Sequence, residues 1–248
     1  MFTVKNDLAV QSYCYRNFKT IPALIGQIQA LGLSRTELCA VHVDFGDEAV
    51  FEPTIAQFKA AKIQIASIGV QYFKGEPEVE EKWFKFAKAA GARMISASFT
   101  VDSTPGSYRM VEKFAEKYDL LVGIHNHGGY DWLGNGTVLG HVFANTNERI
   151  GLCIDTAWCL QARQDPVKWA EQFSGRLFGA HIKDFIFHRD GKPEDVIVGT
   201  GNLKLREFLA LLGKAPKGTT AVTLEYEGDV ENPNPKLKEC LTKITEAL

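Results

Sequence analysis

The sequence predicts a single-domain (β/α)8 barrel over residues 1–248, on three observations. Short β-branched or apolar runs alternate eight times with segments of helical period, which implies parallel strands joined by right-handed crossovers. The length of 248 residues matches one such barrel, and no linker or low-complexity stretch divides it. The fifth to eighth runs each end on a metal-capable side chain, at the strand ends where such barrels carry their chemistry. A doubly wound open sheet is the alternative, and the lack of a glycine fingerprint after the first strand counts against it.

The first strand ends in Val10-Gln11-Ser12-Tyr13. The next helix has Thr20 as its cap, Pro22 in its first turn, and Ile21, Leu24, Ile25, Ile28 and Leu31 at helical spacing. The second strand is Glu37 to Val43, followed by a helix from Pro53 to Ala61, and Ile63 to Val70 forms the third. Glu76 to Ala90 is an amphipathic helix with an apolar stripe through Val79, Trp83, Phe86, Ala87 and Ala90, which Gly91 stops. Met94 to Phe99 is the fourth strand, with a helix from Pro105 to Tyr118 behind it. The fifth strand runs from Leu121 to the His125-Asn126-His127 segment. A Gly-rich stretch, Gly128 to Gly136, and a short helix up to Asn145 separate it from the sixth, Gly151 to Asp155. A helix from Asp165-Pro166 to Ser174 precedes the seventh strand, Gly179 to Lys183. A polar loop from Asp184 to Gly201 and a helix from Leu203 to Leu212 follow. The eighth strand starts at Ala221 and delivers Glu225-Tyr226-Glu227, and a closing helix reaches Leu248.

His125, Asp155, His181 and Glu225 converge if the last four strands lie side by side. Strand alternation then turns Gly123, Cys153, Gly179 and Thr223 inward as well, small residues that leave room beneath a metal and a substrate. Ile124, Ile154, Ala180 and Leu224 face the helices. Two positions further on, His127, Lys183 and Glu227 make a second polar tier nearer the mouth.

The composition, 45% hydrophobic and 23% charged, is that of an ordinary globular protein. A net charge of −2 without a basic run argues against nucleic acid or an anionic membrane as partner. The N-terminus lacks the apolar core of a signal peptide, and no stretch approaches ~20 apolar residues. Cys14, Cys39, Cys153, Cys159 and Cys240 show no CxxC spacing and suit free thiols in a reducing cytosol. The expectation is a cytoplasmic domain, with a homo-oligomer left open.

The segments His125-Asn126-His127, Asp155-Thr156-Ala157-Trp158, His181-Ile182-Lys183-Asp184, Gly199-Thr200-Gly201 and Leu224-Glu225-Tyr226 occur in a telling order and spacing. In them the chain resembles, over nearly its whole length, the xylose isomerase-like TIM barrel superfamily. That group includes tagatose 3-epimerase relatives, ketoinositol dehydratase and endonuclease IV. The resemblance implies His125, Asp155, His181 and Glu225 as ligands of one divalent ion, and a sugar or cyclitol as substrate. Mixed imidazole and carboxylate ligands do not choose among Mn²⁺, Mg²⁺, Co²⁺ and Zn²⁺. It also implies a sugar isomerase or epimerase. A keto-sugar or ketoinositol dehydratase is the runner-up, ahead of an endonuclease IV-like hydrolase or a non-catalytic carbohydrate-binding barrel.

The chain departs from the group at two places. Its epimerases carry a glutamate where this chain has His125, and many members have a histidine at Trp158. An imidazole bound through one nitrogen is a poor base, and two formal negative charges rather than three should leave the ion a stronger Lewis acid. Because a histidine must be neutral to bind metal, affinity is expected to fall as pH drops through roughly 6. Glu225 is the expected proton acceptor, with His127 or Lys183 as a further acid–base group. Lys183 either polarises a carbonyl or pairs with Asp184 or Glu227. Trp158 is expected over a sugar ring or in the core, and Asn126 and Tyr13 at the substrate. Gln11, Glu37, His42, Gln71 and Ser98 lie near the ends of the first four strands, where a polyol pocket could be lined.

Overall fold

The computed structural model describes residues 2–212 and 219–248. Its strands are β1 (Leu8–Gln11), β2 (Arg35–Leu38), β3 (Gln64–Phe73), β4 (Met94–Phe99), β5 (Leu121–His125), β6 (Ile150–Asp155), β7 (Leu177–Ile182), β8 (Asp184–Phe187), β9 (Pro193–Val196) and β10 (Ala221–Leu224). All but β8 and β9 close into a parallel barrel in the order β1–β10–β7–β6–β5–β4–β3–β2, with helices in the crossovers. The expected (β/α)8 architecture is therefore the one observed. Local signals act as anticipated: Thr20 accepts from the Ala23 amide at the start of its helix, and Gly91 ends the helix Pro77–Ala90 in the left-handed region. No helix among the described residues is long and apolar enough to cross a membrane.

Ile124, Ile154, Ala180 and Leu224 lie in the core between barrel and helices, as the alternation requires. The space beneath the metal-capable residues is filled rather than open. Met94 and Cys153 are fully buried in it. A Cβ on Gly123 would stand 2.8 Å from Cys153 Cβ, and one on Gly179 would stand 2.7 Å from Met94 Cε. The small inward residues thus admit a packed floor, and the site sits above it.

The first three strands differ in extent from the sequence expectation. Ser12 and Tyr13 leave β1 for a 3-10 turn, because the Tyr13 amide donates to Gln11 Oε1. The second strand ends at Leu38 rather than Val43, since the Cys39 amide turns to Ser12 Oγ at 2.8 Å and the His42 amide closes a turn on the Cys39 carbonyl. The third strand runs on to Phe73, where Gln71, Tyr72 and Phe73 pair with Ala97, Ser98 and Phe99.

The loop from Asp184 to Gly201 holds an antiparallel hairpin, β8–β9, that period alone did not reveal. The Asp184 carboxylate organises the turn after this hairpin by accepting from the backbone amides of Gly199, Gly201, Asn202 and Leu203 at 2.8–2.9 Å. This explains the Gly199-Thr200-Gly201 motif. A Cβ on Gly201 would stand 2.6 Å from Asp184 Oδ1 and 2.7 Å from the Phe185 carbonyl oxygen. Gly201→Ala is accordingly expected to destabilise the fold by ~1–3 kcal/mol, read as a lowered midpoint in thermal or urea unfolding. An unchanged midpoint would contradict this packing.

Candidate functional site

Parallel register sets the site. Asp155 at the end of β6 pairs with His181 of β7, and His181 with Thr223 of β10, so Glu225 emerges one step above. His125 closes β5 on the other side. His125 Nε2 lies 3.1 Å from His181 Nδ1 and 3.4 Å from Asp155 Oδ2, and His181 Nδ1 lies 2.6 Å from Glu225 Oε2. One ligand atom from each of the four falls within 4.8 Å of all the others, and all four residues are buried.

This donor set fits a divalent ion. Four ligands about 2.1 Å from a shared ion stand about 3.4 Å apart, close to the separations between His125 and its two neighbours. Among the described residues, Asp155 Oδ2 is buried without a hydrogen-bond partner, an orphaned acceptor facing the cluster. Two nitrogens and two carboxylates so arranged could hold Zn²⁺, Mn²⁺, Co²⁺ or Mg²⁺.

The supports come from neighbouring strands. Asn126 clamps the Asp155 main chain, its side chain donating to the carbonyl at 3.0 Å and accepting from the amide at 2.9 Å. Expected at the substrate, Asn126 instead is fully buried and positions Asp155. Asp155 Oδ1 caps the helix Thr156–Gln161 by accepting from the Trp158 amide, leaving Oδ2 for the cluster.

The cluster opens into a cleft of about 370 Å³ at the barrel mouth. His127, Trp158, Tyr13 and Tyr72 line it, together with Gln11 and Glu227. The His127 ring stands 4.7 Å from that of His125, with Tyr72 Oη 3.5 Å from its Nε2. Trp158 packs edge-on against Phe185 of the hairpin, and Tyr13 is braced by Arg16 over its ring.

Lys183 takes the second of its two expected roles, a salt bridge. It is 1% exposed and lies outside the cleft wall, with Nζ paired to Glu227, 3.8 Å from Asp195 and 3.9 Å from Glu225. Of its two anticipated partners Glu227 is the real one, since Asp184 is committed to the loop amides. Asp195, on the hairpin, was not anticipated; it accepts from the Glu227 amide at 2.8 Å. Of the residues near the first four strand ends, Gln11 and Tyr13 reach the cleft, whereas His42 bonds the Tyr15 carbonyl. Glu37 lies behind the cluster rather than in the cleft, 2.9 Å from His181 Nε2. A glutamate inside a buried strand is a sequence signal that could have pointed to such a partner.

The electrostatics separate the two imidazoles. Burial, helped by neighbouring His181, pushes His125 down to about 3, so it stays neutral. Burial, with His125 adding to it, takes His127 to about 4. His181 is likewise opposed by burial, but Glu37, Cys153 and Glu225 hold it well above the usual histidine range. Burial acts against Glu225 too, yet Lys183 and His181 keep it below the usual carboxylate range. Burial raises Asp155 to about 6 despite Lys183.

The family described as xylose isomerase-like TIM barrel matches residues 29–246. A 3-oxo-isoapionate decarboxylase of Pectobacterium atrosepticum is 23% identical over 73% of this chain and 69% of its own. Among solved structures, the Escherichia coli 3-keto-D-glucoside 4-epimerase YcjR superposes with a TM-score of 0.72 at 14% identity, covering 98% of this chain and 100% of that one. The IolI protein, determined with a bound zinc atom, does so with a TM-score of 0.71 at 14% identity, covering 97% and 96%. At these identities the structures show a common fold, and the family match, which spans most of the sequence, shows that the chain belongs to the xylose isomerase-like TIM barrel family.

Proposed function

We propose that this protein is a divalent-metal-dependent enzyme of the sugar isomerase and epimerase type, abstracting a proton next to the carbonyl of a sugar or cyclitol. The observation that carries the reading is the convergence of His125, Asp155, His181 and Glu225 beneath a polar and aromatic cleft. His125, Asp155, His181 and Glu225 would hold a divalent ion, which would supply Lewis acidity toward a substrate carbonyl and so acidify the adjacent C–H. Glu225 is ionised and carries a second oxygen, Oε1, beyond the one engaged with His181, which suits it to take that proton. His127, neutral and in the cleft wall, is suited to donate a hydrogen bond from its ring N–H to a substrate oxygen. Lys183 anchors Glu225 and Glu227 from behind, as a positioning residue. Trp158 and the two tyrosines offer faces to C–H groups of a ring.

A dehydratase is the second reading, favoured by one observation. The cleft carboxylates among the described residues are Glu225 and Glu227, and Glu227 is tied to Lys183, so a second free carboxylate opposite Glu225 is lacking among them. Loss of an α-proton followed by departure of a β-hydroxyl can run on one carboxylate: Glu225 takes the α-proton and returns it to the leaving oxygen, to which the His127 ring N–H donates a hydrogen bond. The cleft also favours an uncharged substrate. None of the described residues lining it is a lysine or arginine, and Lys183 is already paired.

His181→Ala and Asp155→Ala are expected to abolish bound metal, measured by elemental analysis, while the far-UV spectrum keeps its barrel form. In the parent protein affinity should rise with pH, because His181 must shed a proton before its Nδ1 can bind. One proton corresponds to about tenfold per pH unit, steepening below pH 6 where Asp155 must also ionise. His125 is already neutral and contributes no slope. Metal titrations between pH 5.5 and 8 that show flat affinity would refute the ligand set. With metal-loaded protein, Glu225→Gln should stop deuterium exchange at the α-carbon of a neutral keto-sugar or ketoinositol in NMR. His127→Ala should spare exchange and slow the subsequent step. Phosphorylated counterparts should bind at least tenfold more weakly, and equal binding would remove the uncharged-substrate assignment.

A further inference from the structure

We infer that Glu37 is a positioning residue of the metal centre, fixing His181 through its far nitrogen and supplying, from outside the ligand set, the negative charge that His125 takes away. The assignment rests on the metal reading above. His181 Nδ1 faces Glu225 and His125, while Nε2 lies 2.9 Å from Glu37 Oε1. Glu37 is itself fully buried and held on both oxygens: Gln11 Nε2 donates to Oε1 at 2.8 Å, and Ser67 Oγ to Oε2 at 2.5 Å. Three strands, β1, β2 and β3, thus combine to hold one carboxylate against a histidine of β7, across the barrel interior.

The physical consequences are two. A carboxylate accepting from Nε2–H fixes the tautomer that leaves Nδ1 free for metal, locks the ring plane, and raises the electron donation of the ligating nitrogen. It also adds a third carboxylate to Asp155 and Glu225. The ion would therefore feel a field closer to that of a three-carboxylate site than its four ligands suggest. His125 contrasts with this. Its Nδ1 is buried without a partner among the described residues, so nothing comparable holds that ring. The two imidazoles are unequal: His181 is held by a hydrogen bond at its far nitrogen, and His125 is held there by packing alone.

The test is metal affinity in Glu37→Gln, by zinc and cobalt titration against the parent. Affinity is expected to fall ~10–100-fold, with a changed visible spectrum of the cobalt form. The downfield N–H proton resonance of His181 in the metal-loaded parent should disappear from its position in the variant, a readout that a merely structural role would not move. If Glu37→Gln fails to fold, Ser67→Ala decides, since it frees one Glu37 oxygen without touching His181. A loss of ~2–10-fold is expected there, the worth of one hydrogen bond, and unaltered affinity would overturn the assignment. A parent that binds metal alongside a folded Glu37→Gln within twofold of it overturns the role of Glu37 alone. A parent that binds no metal overturns the functional reading as well.

Discussion

His181 is the point on which the interior polar structure of this barrel depends. Its ring spans from Glu225 and His125 on one side to Glu37 on the other, so a single side chain connects β2, β5, β7 and the segment after β10. A charged or polar group in a barrel interior is tolerated only where its partners are complete. Here completion is distributed. Gln11 and Ser67 satisfy Glu37, Asn126 orients Asp155, and the Met94–Cys153 floor fixes the height at which all of them stand. Removing the ring would leave buried carboxylates facing one another.

The charges around it are arranged in two opposed groups. Glu37, Asp155 and Glu225 surround the imidazoles, while Lys183, buried behind Glu225 and Glu227, offsets part of that concentration of negative charge. Without Lys183, ionised Glu225 would lose the neighbour that most offsets the cost of its burial. The lysine thus lowers the Glu225 carboxyl even though it stands apart from the cleft wall. Burial that would neutralise an isolated carboxyl is overcome at Glu225 and Glu37 and succeeds in part at Asp155.

Much of this is legible in the sequence, and the divide has physical causes. Strands β5, β6, β7 and β10 carry clean apolar runs and end on ligand-type residues, so period and position alone bring His125, Asp155, His181 and Glu225 together. β2 misleads because its apolar run continues through Val43 while its hydrogen bonding stops at Leu38, where a serine hydroxyl captures the next amide. Propensity does not register that competition. The β8–β9 hairpin is hidden because its second strand, Pro193–Val196, is short and polar and lies against one partner only. Asn126 reads as a substrate ligand because its place beside two histidines suggests the cleft; the alternation of the strand turns it toward the Asp155 backbone. Glu37 is visible as a residue but not as a partner of His181, since the two are 144 positions apart and only barrel closure makes them neighbours.

The hairpin has a mechanical significance. A two-stranded ribbon is marginal in isolation, so this one owes its order to its roots: the Asp184 carboxylate gathering four amides, Phe185 against Trp158, and Asp195 on the Glu227 amide. Each root is also a component of the cleft or its backing. Bending the ribbon would tilt the indole and draw the Glu227 main chain with it, so the width of the entrance and the placement of the Glu227 carboxylate are geared together. The ribbon thus braces one wall of the cleft from outside the barrel, while the four strand ends beneath are fixed by the barrel's own register.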